Sequence, residues 1–162
     1  MAAPSLPQGP ETKIARAFLA TLKGDELFAR TWTPIVLVES PSIEALNSFA
    51  AGSCSLAIAG VKPSDHPSKR QTSLLQLLVS FYLPRENTSV DSACPGLDWM
   101  NYLRKLAWGL VEANPSVGGA AMNFATTTVV PLTPLVSTEG VMIHSNRVTF
   151  ETDVDPTQGD FV

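Results

Sequence analysis

The residues able to do acid–base, nucleophilic or metal chemistry are few and scattered. The two histidines, His66 and His144, fall in different segments with no HExxH or HxH spacing, so no element sets two imidazoles on one face for a metal. His66 sits in the polar stretch KPSDHPSKR and His144 at an exposed strand position, and both read as surface residues. Cys54 and Cys94 lack CxxC spacing, and nothing beside either in sequence lowers a thiol pKa. Cys54 reads as packed in or near the core, and Cys94 as a turn residue before Pro95. Two cysteines are too few for a four-ligand zinc site or a disulfide scaffold. No GxSxG, GxxxxGK or GxGxxG occurs, and Gly118-Gly119 reads as a turn. The expectation is a protein with no catalytic residues, no metal site and no cofactor.

Charge and aromatic placement say more. Glu151, Asp153, Asp155 and Asp160 follow Arg147 with no intervening base. They read either as a solvated C-terminal end or as a repulsive surface, useful where a protein encloses DNA without gripping it. The basic groupings are Lys69-Arg70 and Arg104-Lys105. Of the three tryptophans, Trp99 fits the inner stripe of a helix with Leu103, whereas Trp108 falls off it. An off-stripe tryptophan points to contact with another chain.

The chain has 162 residues, 44% hydrophobic and 16% charged, a length and balance that suit one domain with a proper core. Its net charge of −4 argues against a dedicated nucleic-acid binder, whose footprint is basic. No apolar run reaches the ~18 residues that span a bilayer, so no membrane partner is expected. The start, MAAPSLPQGPE, has neither a basic n-region nor an apolar h-region, which argues against a secretory signal and for the cytosol.

The elements that must position these residues follow from periodicity. Residues 1–10 hold Pro4, Pro7 and Pro10 and read as an extended arm. Ile14, Phe18 and Leu22 then mark an amphipathic helix over 12–23, with Thr12 as N-cap and Gly24 as a left-handed terminator. Ile35 to Val38 form a buried strand, 41–49 a short helix, and 55–61 a further strand. In QTSLLQLLVSFYL, Leu75, Leu77, Val79, Phe81 and Leu83 share one apolar side, while Leu74, Gln76, Leu78, Ser80 and Tyr82 share a mixed one. Asp98 caps a second long helix through Ala113, ended by Asn114-Pro115. A β-branched strand and a last strand over 141–152 follow, with PLTPLVSTEG between them as a loop whose prolines break any ladder. The order gives an α+β class: a mostly antiparallel mixed sheet with two long helices packed on one face. The domain is expected over 11–154, with a polar tail over 155–162.

This order, the helix ending LDWMNYLRKLAWGLVEANPSVGG and the closing strand NRVTFETDV resemble the tail terminator (neck) proteins of long-tailed bacteriophages. The resemblance covers about residues 12–154, and departs at the proline-rich start and around PSIEALNSFAAGSC. It implies a homohexameric ring in the virion, assembled in the host cytoplasm, that caps the tail tube, stops its polymerisation and offers the head a docking surface. The partners implied are further copies of the chain, the tail tube protein, a neck or head-completion protein, and DNA passing through the lumen without specific binding. A head-completion, stopper or adaptor component is the related alternative, and a small monomeric binding module the alternative of another class. Within a ring, Leu78, Tyr82, Trp108, Lys69 and Arg70 are the candidate subunit contacts, because an isolated domain should not leave the mixed face of the long strand wet. Glu151, Asp153 and Asp155 are the candidate acidic lumen or tail group.

Overall fold

The computed structural model describes residues 9–38, 49–64, 71–84, 95–115, 123–137 and 140–154. Among these residues three helices, α1 (Pro10–Gly24), α2 (Glu26–Thr31) and α3 (Pro95–Ala113), accompany six strands. These are β1 (Ile35–Val38), β2 (Cys54–Ser64), β3 (Gln71–Pro84), β4 (Asn123–Pro131), β5 (Leu135–Val136) and β6 (Val141–Val154). One sheet runs in the order β1-β2-β3-β6-β4, with β5 beside β6. Only β1–β2 is parallel; every other pairing is antiparallel. The class is α+β, as the periodicities predict.

Both long helices begin earlier than the side-chain caps suggest. In α1 the first residue is Pro10 and the N-cap is Gly9, so Pro10 belongs to the helix and not to the arm. Thr12, the expected cap, lies inside. In α3 the first residue is Pro95, and Asp98 sits in the first turn instead of capping it. Proline at the first helical position wastes no hydrogen bond, because that N–H has no intrahelical partner, and its φ is already helical. Asp98 still favours the helix, as a negative charge near the positive end of the peptide dipoles. Residues 1–8 lie outside the described residues, as do residues 41–48 of the short helix expected over 41–49 and the tail over 155–162.

Gly24 does not terminate α1 in the left-handed region. It stays helical, and Asp25 follows in an extended conformation, φ −78° and ψ 121°. The Asp25 side chain then accepts the Phe28 backbone N–H at 2.8 Å and starts α2 at once. One aspartate thus ends one helix and caps the next, an arrangement no terminator glycine could supply. It also accepts from the Tyr102 hydroxyl of α3 at 2.9 and 3.0 Å, tying the α1–α2 corner to the second long helix.

The register of the sheet sorts its side chains into two faces, since paired residues point the same way. Facing the helices are Cys54, Leu56, Leu75, Leu77, Val79, Phe81, Val148 and Phe150, all fully buried. Ile14, Phe18 and Leu22 of α1 and Leu103 and Ala107 of α3 complete that core. Phe18 meets Phe150 edge-on at 5.4 Å. At the other end, Phe81 lies within 4.8–6.2 Å of Trp32, Phe28 and Trp99, and Trp99 reaches Tyr102. The all-apolar side of the long strand is therefore the helix face, as the alternation predicts.

The segment 132–137, expected to be a loop, contains a short ladder. Pro131 closes β4 and Pro134 precedes β5, yet Leu135 and Val136 pair with Ile143 and Met142. The prolines confine the pairing to two residues without abolishing it. Replacing Leu103 by Ala is expected to cost about 2–5 kcal/mol, because the side chain is fully buried between α3 and the sheet. Urea unfolding measures it, and a loss in the surface range of about 0.5 kcal/mol contradicts the packing.

Candidate interaction surfaces

Two of the expected contact residues sit on the face of β3 away from the helices, and their fates differ. Tyr82 is fully buried within its own chain. The Phe49 ring lies 5.1 Å from it, and its hydroxyl shares a hydrogen bond of 3.1 Å with the Ser55 hydroxyl. Tyr82 N–H donates to the Ser53 carbonyl and the Gly52 N–H to the Tyr82 carbonyl, which closes the site. Burial is the main reason its phenol pKa is raised. Tyr82 is thus no free ring contact: the expectation failed because the turn before β2 covers this end of the mixed face. The same end buries Ser80 and Ser145, whose hydroxyls share a bond of 2.8 Å. Further along, Leu78 is half-buried beside exposed Arg147, its register partner.

Trp108 lies nine residues after Trp99, which at about 100° per residue is the opposite side of α3. Trp99 joins the aromatic core while Trp108 is 53% exposed. The same outer side of α3 exposes Leu97, Asn101, Arg104 and Lys105. Lys105 holds its ammonium 5.5 Å from the Tyr102 ring centre, a cation–π placement. A second apolar group, Val130, Leu135 and Val136, is exposed along the edge that β4 and β5 form among the described residues. The signal for it was the run VVPLTPLV, which has too many prolines for a core strand and too many large apolar residues for a solvated loop.

Two of the acidic residues, Glu151 and Asp153, are not part of a free tail. Glu151 and Asp153 belong to β6, where Glu151 pairs with Leu74 and Thr126, and Asp153 with Thr72 and Asn123. The β-branched run Val148, Thr149, Thr152 carries the strand past its expected end. Asp155, Lys69 and Arg70 lie outside the described residues.

His144 is the other correction. Strand alternation gives it the parity of Val148 and Phe150, so it points to the helices and not to solvent. Its ring sits beneath the first turn of α3: a Cβ on Gly96 would overlap Nδ1 and lie 2.8 Å from Cε1. Its Nε2 is buried without a hydrogen-bond partner among the described residues, as is Nδ2 of Asn146, two residues on and 2% exposed. Burial lowers the His144 pKa from its ordinary 6.5. Cys54, fully buried as expected, has its thiol pKa raised by the same cause, so it is inert as a nucleophile. No group of three metal-ligating side chains occurs among the described residues, and none of their helices is long and apolar enough to cross a membrane. No family model and no curated protein matches the chain.

Two outcomes follow from the His144 site. A helical glycine with open space normally gains stability when changed to alanine, by about 1 kcal/mol at most and less in a first turn such as that of Gly96. Gly96→Ala is expected to destabilise instead, and His144→Ala in the same chain to recover the loss; a double-mutant cycle in urea checks it. The native pKa of His144 is lowered, so the unfolded chain takes the proton first. Its contribution is complete above about pH 6.5 and is lost as pH falls towards the depressed native value. Unfolding free energies across that window should show the loss, and His144→Gln should flatten it.

Proposed function

We propose that this chain is a structural neck protein of the phage tail-terminator type, which assembles with further copies of itself into a hexameric ring at the end of the tail tube. The observation that carries the assembly reading is the exposed apolar edge of β4 and β5, Val130, Leu135 and Val136. Large aliphatic side chains beside unpaired strand backbone are a liability in an isolated domain and an asset in a contact. Trp108, on the outer side of α3, supplies a second and different apolar group. A closed ring needs two different patches on each subunit, since its contacts are head-to-tail. The order of elements that resembles the tail terminators supplies the specific family. In that role the ring halts tube growth, meets the head side of the neck, and lets DNA pass through a lumen formed by acidic subunits.

Negative-stain images and sedimentation of the purified protein test this reading. Six-fold rings, alone or on the ends of tail tubes, are the expected result. A strict monomer even beside tail tubes overturns it. Val130→Lys with Leu135→Lys is expected to abolish rings while leaving the circular dichroism spectrum intact, since both side chains lie at the surface. The net charge of −4 predicts no submicromolar duplex binding at about 50 mM salt, because phosphate contacts draw on clustered Lys and Arg. Tight, steeply salt-dependent binding would replace the sliding lumen with a nucleic-acid-binding function.

A further inference from the structure

The sheet face turned away from the helices is closed at one end only. Ser80, Tyr82, Ser145 and Ile143 are buried there. From Leu78 onward the same face is open: Leu74, Gln76, Leu78, Thr149 and Glu151 are half-buried, and Arg147 is exposed. The register sets these side chains in three rows across β3 and β6. Leu78 stands beside Arg147, Gln76 beside Thr149, and Leu74 beside Glu151. On the β2 flank Gly60 pairs with Gln76 and adds no side chain to the face. A sheet face that meets only water carries polar residues at its alternate positions. Leucine on both sides of Gln76 departs from that pattern.

The patch matches itself when turned end for end. Its middle row is Gln76 and Thr149, and each outer row joins a leucine to a charge, positive at Arg147 and negative at Glu151. Consider a second copy laid face to face about an axis along the middle row. Arg147 then lies over Glu151 of the partner subunit, and Leu78 over Leu74 of the partner subunit, each contact made twice. The two β6 strands run antiparallel, as aligned sheets stacked about 10 Å apart allow. An axis along the strands would instead set each charge against its own like, which repulsion disfavours. A nucleic acid is no complement to this patch, because among its described side chains one carboxylate offsets one cation.

We propose that this open half-face is a contact with a second copy of the chain, related by a two-fold axis that crosses the strands through Gln76 and Thr149. Such a contact saturates at two copies and cannot itself close a ring, so it stands apart from the ring reading. Three strands about 4.8 Å apart and five residues at about 3.4 Å each make a patch roughly 15 Å on a side. Standard interfaces bury about 800 Å² on each partner, so this one is weak and exchanging.

Sedimentation equilibrium of the full chain over a concentration series tests it, with circular dichroism to show that each variant folds. The series is run with and without Leu135→Lys, which lies outside the patch, so that a ring through the β4–β5 edge is told apart from the dimer. Arg147→Glu and Glu151→Arg each set like charges across the axis, and each is expected to weaken the dimer about ten-fold or more. An equimolar mixture of the two variants is expected to recover it, because an acidic patch then faces a basic one. The unaltered chain is decisive without any variant: if it stays monomeric up to millimolar concentration, the contact does not exist. A dimer indifferent to both charge reversals, or a mixture no better than its components, also overturns the proposal.

Discussion

Everything in this molecule is hung on the ring of Phe81. It projects from the middle of the sheet towards the helices and touches Phe28 of α2, Trp32 just after it, and Trp99 of α3. Two parts of the chain that are far apart in sequence, the α2 corner and α3, are thus held to β3 by one side chain. Aromatic rings bury the most area per residue and add geometric preference through edge and tilted contacts. The Asp25–Tyr102 hydrogen bonds close the same corner from outside. With that corner fixed, α1 and α3 have no choice but to lie on one face of the sheet, and the opposite face is left to the turn before β2 and to whatever the surface meets.

The division of labour between the faces explains why one face carries the hydrophobic core and the other carries hydroxyls. Ser55, Ser80 and Ser145 occupy successive strands in register, and Tyr82 closes over them by bonding Ser55. Small hydroxyl side chains satisfy one another across the ladder, so this patch is buried without an apolar layer. On the helix face the polar exceptions, His144 and Asn146, find no such partners among the described residues. Buried polar atoms left unmatched cost stability, about 1–3 kcal/mol each by mutational experience. The helix face is thus the stronger half of the fold and also the half that holds its weak point.

Much of this was legible in the sequence, for reasons that differ by element. The strand from Gln71 to Pro84 was plain because leucines at every second position leave no other period, and its apolar side proved to be the core. The stripes of α1 and α3 were plain for the same reason at a spacing of three and four. Their starts differ from the expectation, because proline at the first position sets the backbone without a capping side chain. Helix α2 was missed since six residues show no period; its signal was Asp25 three places before Phe28. His144 was misplaced by treating its polarity as decisive, when its parity with Val148 and Phe150 already faced it inward. Tyr82 could not have been placed from its own strand, because what covers it comes from a turn some thirty residues earlier. Trp108 was read from spacing alone, and its exposure follows from the half-turn that separates it from Trp99.

The pairing of β3 with β6 has a kinetic side. Ser80 and Ser145 meet although they stand 65 positions apart, and α3 and β4 are made between them. Closing so long a loop costs entropy before any contact repays it, so the sheet forms late. Until then the β2–β3 hairpin has one edge unpaired, and the leucine-rich side of β3 lacks the cover that α3 later supplies. During synthesis that hairpin has emerged well before its partner strand exists. The nascent chain therefore passes through its most adhesive form before residues 141–154 arrive, and the speed of their arrival sets how much of it is lost to aggregation.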